Sequence, residues 1–225
     1  MSKKIISVLT GAGVSAESGL QTFRGSDGLW NGYKISEVAT ADAMKNNRKA
    51  VIEFFNMRRR ELKDKQPNRF HLFLAELQNK YDVHIFTQNV DDLHERAGSS
   101  NVIHLHGLLT ESCIGIPGSS ITNIGYDDID VNDKIKRPNV VLFGETPINI
   151  MSAKQVILQS DIFLVAGTSL LVNPAATLAF YRPRNMNQKR ILINPEDPHG
   201  FSGAFDMFIK TTATTSVNEL QRILL

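Results

Sequence analysis

The sequence predicts an α/β fold built on a doubly wound, mostly parallel sheet. Short apolar runs that read as buried strands recur at Ile5 to Leu9, Val83 to Thr87, Val102 to Leu105, Val140 to Phe143, Ile162 to Ala166 and Ile191 to Ile193, with helical patterns between several of them. Glycine-bearing or polar residues close these runs, and ligands of open α/β sheets sit outside the carboxyl ends of the strands. With 225 residues and 42% apolar content the chain can bury a proper core. One domain over 1–225 is expected, with insertions at about 23–67 and about 109–137.

Each element has its own warrant. Lys4 to Leu9 supply the first strand, which enters the segment TGAGVSAESGLQTFR at Thr10 to Arg24. Gly11, Gly13 and Ala16 fit the Gly-x-Gly-x-x-Gly/Ala fingerprint, in which small residues allow a tight turn and let helix-start amides point at phosphate oxygens. A dehydrogenase would continue to a second strand ending in an acidic residue about 20 positions on. Here Phe23 to Trp30 is loop chemistry instead, which argues for a cofactor covered by a loop and against hydride transfer. Ala50 to Leu62 reads as an amphipathic helix with Val51, Phe54, Phe55, Arg58 and Leu62 on one face, so Arg58 is a guanidinium in an apolar stripe that wants a carboxylate from protein or ligand. Arg59, Arg60, Lys63 and Lys65 read as a solvated face.

Gln88-Asn89-Val90-Asp91 ends the Val83 to Thr87 strand, and His106-Gly107 ends the next. On a strand from Val102 to His106, alternation puts His104 and His106 on one face, so spacing does not choose between them as a base. The stretch from about Leu109 to Arg137 is rich in Gly, Ser and Asp with little periodicity. Within it Asp128, Asp130, Asn132 and Asp133 imitate the start of a calcium loop, but the turn glycine is missing and the twelfth position is Asn139, so a solvated acidic turn is expected. Phe143-Gly144-Glu145, Gly167-Thr168-Ser169 and Asn194-Pro195-Glu196 close the remaining strands, and together these ends imply one shared cleft.

A net charge of +2 makes no case for a nucleic-acid or membrane partner. No apolar stretch reaches the roughly 20 residues that span a bilayer, and the short N-terminal apolar run reads as a strand and not as a signal peptide. The single cysteine, Cys113, excludes a disulfide framework and a multi-thiolate zinc site within one chain. A cytoplasmic, monomeric protein is expected.

The strings GAGVSAESGLQTFRG, TQNVDDLHERAG, HLHG, RPNVVLFGE, GTSLLVNPAA and INPE, in that order, resemble the sirtuin family of NAD-dependent protein deacylases. The resemblance implies a Rossmann-like sheet with a small inserted module and a helical and loop cofactor-binding insertion, with NAD and an acyl-lysine peptide entering the cleft. It places Ala12, Gly13, Ser15 and Ala16 around the pyrophosphate, and Phe23 and Arg24 on a closing loop. Asn89 and Asp91 would hold the carboxamide and ribose, and Gln88 would orient the sugar near His106. Thr168, Ser169, Asn194 and Glu196 would line the adenosine side, with Gly11, Gly167 and Pro195 completing the cofactor set. The His-Gly context selects His106 as general base, taking a proton from a ribose hydroxyl; Asn89 joins it as a catalytic residue. The implied products are nicotinamide, free lysine and O-acyl-ADP-ribose. NAD hydrolysis, ADP-ribosyl transfer and a non-catalytic NAD or ADP-ribose sensor are the competing functions.

The chain departs from the family pattern in three places. Sirtuins mostly hold the small module with two Cys-x-x-Cys pairs on zinc; here only Cys113 is present, so no zinc is expected, with packing by Ile114, Ile116, Ile121, Ile124 and Tyr126 instead. Gln21 stands where the family usually has proline. Phe55-Asn56-Met57-Arg58 keeps the arginine but not the tyrosine of the Tyr-x-x-Arg pair that grips succinyl, malonyl or glutaryl groups in some sirtuins. Phe55 and Arg58 would therefore form an acyl pocket that binds acidic chains less well than the full pair. The resemblance also places the peptide as an extended strand along Val140 to Glu145, with Val141 and Phe143 against the lysine and Gly144 and Glu145 beside it.

Overall fold

A computed structural model of the chain describes residues 2–21, 29–30, 32–181 and 187–225. Strand β1 (Ile5–Thr10) runs into the short helix α1 (Ala12–Ala16). A two-residue hairpin, β2 (Leu29–Trp30) and β3 (Tyr33–Lys34), leads to helices α2 (Ile35–Val38), α3 (Ala41–Asn46), α4 (Arg48–Lys63) and α5 (Arg69–Leu77). Strand β4 (Asp82–Thr87), helix α6 (Leu93–Arg96) and strand β5 (Val102–His104) follow, then the strands β6 (Gly107–Ile114), β7 (Thr122–Asn123) and β8 (Lys136–Val140). Helix α7 (Ile150–Gln159), strands β9 (Ile162–Ala166), β10 (Lys189–Ile193) and β11 (Met207–Ile209), and helix α8 (Ala213–Leu224) complete the chain.

The central sheet has the order β11-β10-β9-β1-β4-β5, and every pairing in it is parallel. Both faces are buried, as parallel sheets require. Ile6, Val8, Ile85 and Leu164 pack under α5 and α8, while Leu9, Phe86, Phe163 and Val165 pack under α7, so successive residues serve opposite cores. Helix α8 presents Ala213, Val217, Leu220 and Leu224 at helical spacing to the first core. Helix α5 starts where it does because the Asn68 side chain accepts the Phe70 and His71 amides while the His71 ring accepts the Asn68 amide. From β1 the chain winds one way to β4 and β5, and from β9 the other way to β10 and β11. A switch-point crevice therefore opens at the carboxyl ends of β1 and β9.

The six-stranded count agrees with the sequence, but the membership does not. The Val140 to Phe143 run is not a strand of the central sheet. It leaves β8 at Val140, and β8 pairs antiparallel with β6 in a separate three-stranded sheet, β7-β6-β8. The cause is polar closure: the Glu145 carboxylate accepts the Leu142 N–H at 2.8 Å and pairs with Arg137 (Nη2 to Oε2 2.9 Å), folding residues 141–145 into a loop. The sixth strand of the sheet is β11, three residues with no alternation for the sequence to show.

Module packing also differs from expectation. Ile114, Ile116 and Ile121 are exposed, Ile116 at 73%, and Ile124 and Tyr126 are half-buried. The inward residues are Leu109, Cys113, Ile129, Val140 and Leu142, of which Leu109, Val140 and Leu142 pack against Val51, Phe54, Phe55 and Leu62 of α4. A buried polar clamp joins α4 to the module. The Asn56 amide donates to Ile129 O (2.8 Å) and accepts Ile129 N (3.0 Å), while Arg59 donates to Leu109 O (2.6 Å) and to Asn56 Oδ1 (2.8 Å). Arg59 is therefore wholly buried and not part of a solvated face. In the acidic turn Asp128 pairs with Arg60, and Asp130 and Asp133 accept nearby backbone amides.

Candidate active site

A cavity of about 410 Å³ opens at the switch point, within the range of small-molecule sites. Its floor is made by the two loops after β1 and β9, which lock together: Gly11 N donates to Ala166 O (3.0 Å) and Gly13 N to Gly167 O (2.8 Å). A Cβ on Gly13 would lie 2.8 Å from Gly167 Cα, and one on Gly167, at φ +61°, would lie 2.5 Å from Val14 N. The fingerprint glycines are thus required by loop-to-loop contact before any ligand is considered.

Gly11, Ala12, Gly13 and Ser15 line this floor with Gly167, Thr168 and Ser169, and Asn194 closes one end. Ser15, at the end of the first turn, donates to Asp91 Oδ2 (2.9 Å) and accepts the Asn89 amide (3.0 Å), while Asp91 Oδ1 accepts Leu93 N (3.2 Å). Burial raises the Asp91 carboxyl above its ordinary value, against the lowering effect of those bonds and of His104. Gln88 donates to Thr168 Oγ1 at 3.1 Å, joining the strand end of β4 to that of β9.

The two histidines that spacing left equivalent are separated by the structure. Strand β5 ends at His104, so His106 lies beyond it and the alternation argument does not apply. His104 Nδ1 meets the Asn89 carbonyl (3.0 Å) and Nε2 meets Glu95 Oε1 (2.8 Å). Both partners can only accept, which requires both ring nitrogens to carry hydrogen. Burial pulls His104 down, but the Glu95 hydrogen bond and charge, the Asn89 carbonyl and Asp91 outweigh it and raise the net value, consistent with an imidazolium. His106 lines the cavity and its Nδ1 donates to the Gln88 carbonyl at 3.1 Å. Burial holds its ring below the ordinary histidine value despite that bond. His106 is therefore neutral at pH 7 with the hydrogen on Nδ1 and a lone pair on Nε2, the form a general base needs.

The opposite wall carries Phe55, Arg58, Val141, Phe143, Gly144 and Glu145. Arg58 is only 4% exposed, with its guanidinium 5.6 Å from the Trp30 ring centroid. Its Nη1 pairs with Glu61, its Nε is buried without a partner, and its Nη2 bonds to no described residue. Glu145 contributes through its salt bridge to Arg137 and its bond to the Leu142 amide, which shape the loop.

A match to the Sir2 family model spans residues 11–174, most of the chain and nearly all of this cavity. The chain belongs to the Sir2 family. It is 46% identical over 204 residues to an NAD-dependent protein deacylase of Aggregatibacter actinomycetemcomitans, covering 89% of this chain and 97% of that protein. It is 40% identical over 232 residues to an NAD-dependent protein deacylase of Bacteroides thetaiotaomicron, covering 99% and 98%. A Sir2 homologue solved as an NAD complex superposes with a TM-score of 0.84 at 36% identity, covering 99% of this chain and 90% of that one.

Within this Sir2 fold, Ala16, Pro195 and Glu196 are exposed and lie off the cavity wall, because α1 ends at Ala16 and the chain turns outward after Asn194. Phe23 and Arg24 fall outside the described residues. Leu20, Trp30, Ala39, Val172 and Asn173 line the cavity without having been assigned a role from sequence. Asn173 stands in the string GTSLLVNPAA and was open to such a reading; the apolar ones look like core until their neighbours are known.

Proposed function

We infer that this protein is an NAD-dependent protein deacylase. The observation that carries the reading is the neutral His106, its Nε2 unoccupied, in the same cavity as the Ser15–Asn89–Asp91 chain and the glycine floor. The donor set fits NAD: backbone at Gly11 to Gly13 for the pyrophosphate, amide and carboxyl groups of Asn89 and Asp91 for the carboxamide and ribose, and Thr168, Ser169 and Asn194 for the adenosine side. NAD is consumed and supplies the ribose that receives the acyl group. Asn89 and Asp91 orient its nicotinamide half, held in place by Ser15. His106 accepts a ribose hydroxyl proton at Nε2, and the Gln88 carbonyl steadies the charge that forms at Nδ1.

The acyl-lysine enters along residues 141–145. The Val141 and Phe143 amides are already committed to His106 O (2.9 Å) and Ala39 O (2.9 Å). Phe143 O and Leu142 O likewise accept Ala41 N and Glu145 N (both 2.9 Å), so peptide pairing falls to the Val141 and Gly144 carbonyls and to the Gly144 N–H, which donates to no described residue. The acyl pocket between Phe55 and Arg58 binds acidic chains less well than a full Tyr-x-x-Arg pair would, and the unpartnered Nε and Nη2 edge of Arg58 is the group that would meet an acyl carboxylate. The module functions without zinc. Cys113 is its single thiol, Sγ lying 3.7 Å from Pro138 O, and no group of three or more metal-ligating side chains occurs among the described residues. Elemental analysis finding stoichiometric zinc would contradict this.

The test is mass spectrometry of NAD incubations with and without acetyl- and succinyl-lysine peptides. Nicotinamide and O-acyl-ADP-ribose should appear only with peptide, and His106→Ala should abolish both while NAD affinity changes by less than a few-fold. ADP-ribose formed without peptide would sink the reading in favour of NAD hydrolysis.

A further inference from the structure

Arg58 is a buried cation whose two ends have different fates. Its Nη1 corner is held by Glu61, one helical turn along α4, whereas the Nε and Nη2 edge faces no protein acceptor among the described residues. That edge presents two parallel N–H groups, the geometry a carboxylate takes side-on. Arg58 and Phe55 line the cavity, but Glu61 does not. Glu61 sits behind the cation, about a quarter exposed, so it acts on a ligand through charge and without touching it.

We propose that Glu61 is a specificity-determining residue that offsets the charge of Arg58 and so turns the acyl pocket toward neutral chains and away from acidic ones. A ligand carboxylate on the unpartnered edge would join Glu61, which bonds to the guanidinium, and Asp91, whose charge acts on it from further away. The pull it feels from Arg58 is opposed by the repulsion of Glu61 a few ångströms further off. Removing a unit charge at that range in a half-buried site corresponds to roughly tenfold in affinity. This inference rests on the deacylase reading only for the identity of the ligand, an acylated lysine.

Glu61→Gln separates charge from position, because the amide oxygen still accepts from Nη1 and keeps the guanidinium in place. The experiment measures dissociation constants of succinyl- and acetyl-lysine versions of one peptide, by fluorescence anisotropy, for the intact protein and for Glu61→Gln, Arg58→Met and the double variant, with thermal melts confirming that each is folded. The succinyl-to-acetyl affinity ratio should rise about tenfold in Glu61→Gln and change less than twofold when the same substitution is made on Arg58→Met. A ratio that stays level or falls in Glu61→Gln overturns the proposal, and so does a rise that survives without Arg58. Turnover is read separately: loss of nicotinamide release in the unsubstituted protein would remove the deacylase reading while the binding ratios still decide the role of Glu61.

Discussion

His104 and His106 are two residues apart and have opposite chemistry. His104 faces two acceptors and holds two hydrogens; His106 faces one carbonyl and keeps a lone pair. Only the second can accept a proton. Because burial depresses the His106 value, the acid limb of kcat/KM for an acetyl-peptide should have its midpoint below 6.5, the ordinary histidine value. A midpoint above 7 would assign the limb to another group. The glycine floor makes a second residue-level prediction. Gly167→Ala places a methyl 2.5 Å from Val14 N at a left-handed φ of +61°, so the variant should lose about 2 kcal/mol or more in urea denaturation. Retained stability would mean that the β1 and β9 loops can separate.

At the scale of elements, the inserted module depends on α4. Asn56 satisfies both backbone groups of Ile129 and one corner of Arg59, whose burial drags its guanidinium down to about 10. Asn56→Ala leaves three buried polar groups without partners, so a loss of roughly 2 to 4 kcal/mol is expected. Hydrogen exchange should locate the loosening in 107–140 and not in the central sheet; equal loss in both would show that the module and the sheet unfold as one. These contacts were not legible in the sequence. Periodicity shows that Val51, Phe54, Phe55, Arg58 and Leu62 share a face, and the structure agrees, but a charge next to that face reads as solvated. Arg59 is buried because a second layer, the β6-β8 sheet, covers it. The same blindness affected Val140 to Phe143, whose composition is that of a buried strand. Its path is set by the Glu145 carboxylate capturing Leu142 N, a contact between side chain and backbone that leaves no periodic trace.

For the whole molecule, the ends of β1, β4 and β9 converge because these central strands are adjacent and parallel, whereas residues 141–145 reach the cavity from the separate β7-β6-β8 sheet. Folding buries several histidines, His106 in that cavity, His71 on α5 and His94 on α6, and this makes stability depend on pH. Burial lowers His71 to about 4, and lowers His94 well below 6.5, with the neighbouring His71 and His104 adding to the effect; His106 is lowered by burial as well. In the unfolded chain each takes up a proton near pH 6.5. Below that pH the unfolded state holds more protons than the folded one, so the stability these groups allow is complete above about 6.5 and declines as pH falls toward their folded values. His104, with its raised value, has the opposite sense: its contribution is present below 6.5 and is lost as pH rises through the folded value. The Asp91 carboxyl, raised by burial, works in the same sense as His104; the three lowered histidines outweigh these two groups, and urea denaturation should show lower stability at pH 5 than at pH 7. His71 provides the decisive variant. Glutamine at this helix position can still close the capping box with Asn68 but cannot titrate. His71→Gln should therefore fold with α5 intact and reduce the drop between pH 7 and pH 5 by about 2 kcal/mol. An undiminished drop would place the acid sensitivity in other groups.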